Sequence, residues 1–409
     1  MTTVITPDTP EAVPAAHRNL PYLRYVAGQT VSILGDQVWY VALSWAAVQL
    51  ASPAVAGLVL TVSAVPRLVL MLFGGAFVDR LGPKRLMIGS DLLRAVVSAT
   101  AAAVALATPS IGLLIVMAVI FGVVSAVFMP AAGAMAPMLL HKQQMSSGAA
   151  IAELTSRAAL TLGAPLGGVL VAVGGLTLAA GFDAATFALS ALALMTLRPR
   201  TVETERQTDL LRSMRDGFGY LRRNRLVLTI VVIGLLDNLG FVGPMNVGLA
   251  LLSDERGWGA GGIGAALSGF GAGAMVSAAV LLRTAPRGTV RLSIVVCTVL
   301  GGVGILVLAL VPTLWMAVVA SFVIGLCSGL KGVSLRSLSQ LHTDDAFRGR
   351  VSSISTVGNL GVTPLMIAVT GVAVDRFGLL TTFAASASLC LAAGVIGLLS
   401  RALRTARAA

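Results

Sequence analysis

A carboxylate inside an apolar run is a reactive group. Asp36 stands in SILGDQVWY, residues 32–40, and no basic residue lies between Arg24 and Arg67. Asp237, followed by Asn238, stands in a second such run, and Glu153 precedes Arg157 by four residues in a third. In a low-dielectric setting an ionised carboxylate must find a cation or take up a proton. Ion pairing and reversible protonation are therefore the chemistry these positions offer. Other chemistry has no footing. His17, His141 and His342 are scattered, and no His-Glu-x-x-His, paired Cys-x-x-Cys, Gly-x-x-x-x-Gly-Lys-Ser/Thr loop or glycine-rich dinucleotide fingerprint occurs. No enzyme activity, metal or cofactor is expected. Cys297, Cys327 and Cys390 lie in apolar runs, as packing thiols do.

The elements that must hold these residues are membrane spans. Only 11% of the 409 residues are charged and the mean hydropathy is +0.92; soluble domains carry about 25% charge. A spanning helix takes about 20 apolar residues. Twelve runs qualify: 22–50, 55–78, 85–107, 110–135, 148–173, 177–197, 226–252, 261–282, 290–311, 313–335, 350–373 and 379–400. Backbone polar groups in lipid must be satisfied within each segment, so the expected fold class is an all-α membrane protein. The alternating segments of a β-barrel are absent. Eight arginines crowd residues 198–225, and other basic residues cluster at 80–85, 283–291, 331–350 and both termini. The intervening links carry only Arg256 and Arg376. The positive-inside rule then puts both termini and the 198–225 stretch in the cytoplasm. The net charge of +12 is read as attraction to an anionic leaflet, without a nucleic-acid partner.

The 198–225 stretch also halves the chain. Asp36-Gln37 and Asp237-Asn238 lie 201 residues apart, and Pro165 and Pro364, each preceded by Leu-Gly, lie 199 apart. Two matching landmarks suggest parallel repeats. The expected organisation is a disordered tail over 1–20, a six-helix bundle over 21–197, a linker over 198–225, a pseudo-symmetric six-helix bundle over 226–401 and a tail over 402–409.

Between the second and third spans lies GGAFVDRLGPKR, residues 74–85. It resembles the cytoplasmic signature Gly-x-x-x-Asp-Arg-x-Gly-x-Lys/Arg-Arg of the major facilitator superfamily, with Gly75, Asp79, Arg80, Gly82, Lys84 and Arg85 on the pattern. By residue type alone, Gly75 admits close helix approach, Asp79 accepts charge-assisted hydrogen bonds and Gly82 permits a tight turn. The resemblance implies that this loop latches the two halves in the outward-open state; the plainer reading is a basic anchor. The corresponding LLRTAPRG, residues 281–288, lacks the aspartate. SILGDQVWYVALSW, AVPRLVL, FDAATF, RDGFGYLRRNR (215–225) and RGRV (348–351) are similar to stretches of bacterial drug and siderophore exporters of that superfamily, macrolide-efflux-like and enterobactin-exporter-like proteins among them. LGAPLGGVL in the fifth span is similar to the antiporter motif Gly-Pro-x-x-Gly-Gly through Gly163, Pro165, Gly167 and Gly168, with the proline displaced by one position.

Asp36 and Arg67 fall midway along the first two spans, so an interior pair is expected, serving translocation or a static salt bridge. Gln29, Ser32, Asp36 and Tyr40 share one helix face. Asp237, with no basic neighbour in sequence, is a second proton-site candidate; the alternative is a packing role bonded to Asn246. Glu153 and Arg157 are spaced for an ion pair, local or coupled. Gln29, Gln37, Trp39, Tyr40, Asn238, Phe241 and Asn359 are expected to line the cavity, with Met135 and Met245. Asp91, Arg94 and Asp183 fall on helices that the superfamily places at the periphery. Asp91 is read as support for the 74–85 loop, Asp183 as structural, and Lys331 as snorkelling. Gly261, Ala265, Gly269 and Gly273 set a small-residue stripe on the eighth span, which the superfamily packs against the fifth.

The function these features imply is a secondary active transporter exporting small amphipathic molecules (drug, siderophore or metabolite) by proton antiport with alternating access. A monomer in the bacterial cytoplasmic membrane is expected, with substrate, protons and bilayer as its partners. An importer or lipid carrier on the same fold, and a non-transporting receptor or scaffold, are the alternatives. The scaffold predicts long soluble loops, and only 198–225 has any length.

Overall fold

Asn19, Ser110 and Asn224 each turn a side-chain oxygen onto a backbone N–H three residues on, and each starts a long helix. The computed structural model describes residues 16–200, 210–283 and 290–405. Residues 284–289 of the second-half loop, and the surroundings of Gly75 and Asp79, lie outside the described residues. The helices are α1 (Leu20–Leu50), α2 (Pro53–Val62), α3 (Ala64–Leu81), α4 (Pro83–Ala107), α5 (Ile111–Leu139), α6 (Met145–Met195), α7 (Leu210–Arg223), α8 (Arg225–Gly243), α9 (Leu249–Glu255), α10 (Gly259–Arg283), α11 (Val290–Leu310), α12 (Leu314–His342), α13 (Asp345–Phe377), α14 (Leu379–Leu399) and α15 (Arg401–Thr405).

Each of the twelve expected spans falls on helix. Ten helices are long and apolar enough to cross a membrane among the described residues. One of these, α6, holds two expected spans and bends where Gly174 and Gly175 leave helical geometry, Gly175 at φ +61°. The second span is split into α2 and α3 at Ser63. The seventh is α8, a π-helical turn Pro244–Gly248, and α9. Leu106, Leu154, Val173 and Trp315 are 76, 72, 78 and 67% exposed. Such a surface aggregates in water and is solvated by hydrocarbon.

Two expectations about connecting segments change. Residues 16–18 form a 3-10 turn with Ala16 buried, so the expected tail ends before residue 20. The linker contains α7, which is tied to the second half. Tyr220 stacks on Phe347 at 4.5 Å, and its hydroxyl accepts the Asp344 N–H at 3.1 Å.

The two halves meet toward the end remote from the linker. Gln49 Nε2 donates to Asp254 Oδ1 at 2.6 Å, and Thr61 Oγ1 donates to the Pro364 carbonyl at 2.9 Å. Gly57 of α2 abuts Gly371 of α13 so closely that a Cβ would lie 3.0 Å from its Cα. The α6–α10 seam is equally tight: a Cβ on Gly168 would sit 3.2 Å from Gly264 Cα. The seam corrects the expected α10 stripe. Gly261 and Gly264 meet α6, whereas Gly269 and Gly273 turn toward the carbonyls of Val318 and Phe322 on α12. A Cβ at Gly264 would lie 2.7 Å from the Ala164 carbonyl. Gly264→Val should therefore cost about 1–3 kcal/mol by overpacking, read as a lower melting temperature in detergent. An unchanged melting temperature would show a looser seam.

At the linker end, the described bonds stay within one half. Lys84 Nζ donates to the carbonyls of Met195 at 3.1 Å and Leu197 at 2.7 Å, and so caps the end of α6. Gly82 ends α3 at φ +79°, a conformation glycine adopts without strain. Arg80 and Arg85 are exposed.

Candidate functional site

Between the halves lies a cavity of about 630 Å³. Helix α1 contributes Gln29, Asp36, Gln37, Trp39 and Tyr40, α3 contributes Arg67, α4 Arg94, and α5 Phe121, Ser125 and Phe128. The second half contributes Asn246, Thr363, Pro364 and Ile367. The contacts described above close it off from the end remote from the linker.

The cation nearest Asp36 lies on a different helix from the one expected, and the charge of Arg67, the expected partner, acts on it as well. Asp36 Oδ1 lies 3.7 Å from Arg94 Nη1. Arg67 lines the same cavity and its Nε is buried without a hydrogen-bond partner among the described residues. The reason is packing. Arg94 is 2% exposed, with its guanidinium carbon 4.3 Å from the Phe128 ring centre and 4.5 Å from that of Phe187. A cation held between two aromatic faces is stabilised and fixed in place. Its Nη2 also reaches Asp91 Oδ1 at 3.2 Å. Asp91 is fully buried beside that guanidinium, so the reading of it as support for the 74–85 loop gives way.

Asp183 belongs to the same neighbourhood. It is fully buried on α6, and its Oδ2 accepts the Ser98 hydroxyl of α4 at 2.8 Å. Its Oδ1 has no hydrogen-bond partner among the described residues and lies against the backbone of Gly35, where a Cβ would come within 2.9 Å. Three carboxyl groups and two guanidinium groups thus share one interior region. The Asp36 side chain alone among the three carboxyls opens to the cavity, at 42% exposure. With every member ionised the group carries one excess negative charge, which a low-dielectric interior disfavours. Sequence reading had one usable signal for Arg94 and Asp183, a charge within an apolar run, which points inward by default.

Asp237 also has an unforeseen cation. Lys331 Nζ of α12 lies 2.5 Å from its Oδ1, with Lys331 only 6% exposed. Lys331 is therefore an interior partner and does not snorkel to the interface. Asn246 does not bond Asp237. The π-helical turn presents its Oδ1 to the Tyr40 hydroxyl across the halves, while its Nδ2 donates to the Val242 carbonyl at 2.7 Å. Asn238 donates to Asn359 Oδ1 at 3.0 Å, and Asn359 lines a separate vestibule of about 910 Å³ within the second half. Phe241 and Met245 line a side chamber at the α6–α10 seam, whereas Met135 is fully buried in the first half and lines neither that chamber nor the Asp36 cavity. Glu153 and Arg157 form a half-exposed pair at 2.7 Å, with Arg157 at the rim of that chamber. Gly163 and Gly167 of the antiporter-like stretch face α1, and Gly168 faces α10. Pro165 Cα lies 3.2 Å from where a Gly264 Cβ would sit, on that same seam.

A sequence profile described as Major Facilitator Superfamily matches residues 25–358. The multidrug efflux pump Tap of Mycobacterium tuberculosis is 26% identical over 392 residues, covering 90% of this chain and 91% of its own length. The enterobactin exporter EntS of Escherichia coli is 25% identical over 255 residues, covering 60% of this chain and 61% of its own. Among solved structures, the nucleoside transporter NupG superposes with a TM-score of 0.74 at 14% identity, over 92% of this chain and 99% of that one. A bacterial homologue of the iron transporter ferroportin in an inward-facing state gives 0.69 at 15% identity, over 94% and 99%. At these identities the structures speak to fold alone.

Proposed function

The chain belongs to the Major Facilitator Superfamily, and on that premise we propose that it exports small amphipathic molecules by proton antiport. The observation carrying this reading is Asp36. It is the cavity-facing member of a buried group of three carboxyls and two guanidiniums. Relatives described as a multidrug efflux pump and an enterobactin exporter support the outward direction and the cargo class.

The cycle follows from charge balance. An ionised Asp36 pairs with Arg94 and offers its free face to a polar or cationic part of the cargo. A proton arriving from the far side neutralises Asp36 and weakens both interactions. Proton and cargo then compete for one carboxylate, which is the requirement for exchange. The positive-inside rule puts the linker end in the cytoplasm of a bacterial cell, with both termini inside. The arrangement described, closed at the opposite end, is then the inward-facing one. In the outward-facing state the 74–85 loop latches the halves; here Lys84 is engaged with the end of α6. Asp237 with Lys331, and Glu153 with Arg157, are secondary sites at most. A monomer suffices for this cycle.

Cells carrying the protein should accumulate less of a lipophilic cationic dye than control cells, and a proton uncoupler should erase the difference. Equal accumulation across a broad dye panel would remove the export reading. Efflux that persists after uncoupling would remove the proton.

A further inference from the structure

We infer that the cargo is a zwitterion, with its cationic end on Asp36 and a carboxylate on Arg67. The observation behind this is a pair of unused donors. Arg67 lines the cavity, forms no ion pair, and leaves its Nε buried without a hydrogen-bond partner among the described residues. Gln29 lines the same cavity, and its Nε2 is likewise buried and unpartnered among those residues. Folded interiors leave few polar groups in that condition. Two of them on one cavity mark where a bound molecule completes the bonding.

The neighbouring cation offers no such opening. Arg94, the other guanidinium lining the cavity, is held by Asp91, by Asp36 and by two aromatic faces. The charge of Asp36 reaches Arg67 as well, but no ion pair joins them. The Arg67 fork is therefore open to a partner that enters the cavity. A guanidinium fork matches a carboxylate through two parallel N–H bonds, which a point charge cannot do.

Charge balance selects the occupant. A plain cation gains from Asp36, whose side chain is 42% exposed, but leaves both donors empty. A plain anion gains from Arg67 but meets the excess negative charge of three carboxyls against two guanidiniums. A molecule carrying both signs satisfies each group and leaves the net charge of the site unchanged. Gln29 stands two turns before Asp36 on the same face of α1, about 10 Å along the axis, and offers its amide to a neutral acceptor of the same molecule. Trp39 and Phe121, 5.6 Å between ring centres, with Leu43, Leu60 and Ile367, make the remaining wall apolar. The cargo is thus an apolar body bearing an amine and a carboxylate. A proton on Asp36 competes with the amine as in the cycle above, while Arg67 sets which amines are taken.

This inference rests on the transport reading, so its test reads binding. The full chain in nanodiscs is titrated with a xanthylium dye that bears a free ring carboxylate, and with the methyl ester of the same dye. The ester keeps the body and the cation and lacks only the acid. Fluorescence polarisation should show the acid bound about tenfold more tightly, the factor that one hydrogen bond between charged groups carries. Arg67→Gln should abolish that preference, with ester binding held or strengthened, because the site then carries one positive charge fewer. Arg67→Lys keeps the charge, and with it the fold, and should cut the preference to a few-fold, because an ammonium lacks the planar fork. Equal binding of acid and ester by the unaltered chain would overturn the inference. So would a preference undiminished in either variant. A preference for the acid in a chain that exports neither dye would retain the inference and remove the export reading. Export of both dyes, bound with equal affinity, would do the reverse.

Discussion

Asp36→Asn folds normally and loses the pH dependence of transport. The substitution keeps shape and removes one titrating oxygen. Arg94 retains Asp91 at 3.2 Å and its two aromatic faces, and the group passes from one excess negative charge to balance, with Asp91 and Asp183 against Arg94 and Arg67. Stability should therefore change little. Accumulation should change greatly, because no cavity-facing carboxylate remains to exchange protons with cargo. A gradient of one pH unit is worth about 1.4 kcal/mol, a factor of about ten in the accumulation ratio. Everted vesicles bearing the variant should lose that factor while still catalysing gradient-independent exchange of labelled for unlabelled substrate. A variant that still concentrates substrate in response to the gradient would move coupling to another group.

Lys331→Met is the substitution expected to harm folding most. It leaves the Asp237 carboxylate, 15% exposed within the second half, without its 2.5 Å partner. Removing one member of a buried pair costs about 3–5 kcal/mol, most of it the uncompensated charge. The double variant with Asp237→Asn should recover most of that loss, because a neutral amide needs no cation. Melting temperatures in detergent of the two single variants and the double variant read the coupling directly. A double variant no more stable than Lys331→Met would mean that the pair is not the source of the cost. Cys390 donates to the Asp237 backbone carbonyl, so that contact survives both changes.

The helices were legible in the sequence because an apolar run of about 20 residues has one solution in lipid. The Gly174-Gly175 break and the turn at Gly82 were legible as well, since both need glycine geometry. Which guanidinium lies nearest Asp36 was not. Arg67 and Arg94 both interrupt apolar runs, and choosing between them requires the rotation of α4 about its axis. That rotation is set by Phe128 on α5 and Phe187 on α6, which sequence spacing does not connect to Arg94. The Asp237–Lys331 pair failed for a related reason, because its members sit on α8 and α12 and meet only in the assembled bundle. On α10 two overlapping small-residue faces exist. One turned to α6 and the other to α12, and periodicity alone does not rank them.

The most direct measurement joins the halves at their closed end. Gln49→Cys and Asp254→Cys replace a 2.6 Å cross-half contact between α1 and α9. They are introduced into a chain in which Cys297, Cys327 and Cys390 are changed to serine. A short, reducible bifunctional thiol reagent then ties α1 to α9 in proteoliposomes. Alternating access requires this end to open once per cycle. Transport should stop in proportion to the crosslinked fraction and return on reduction. Undiminished transport through a fully crosslinked population would contradict a pathway that opens between the two halves.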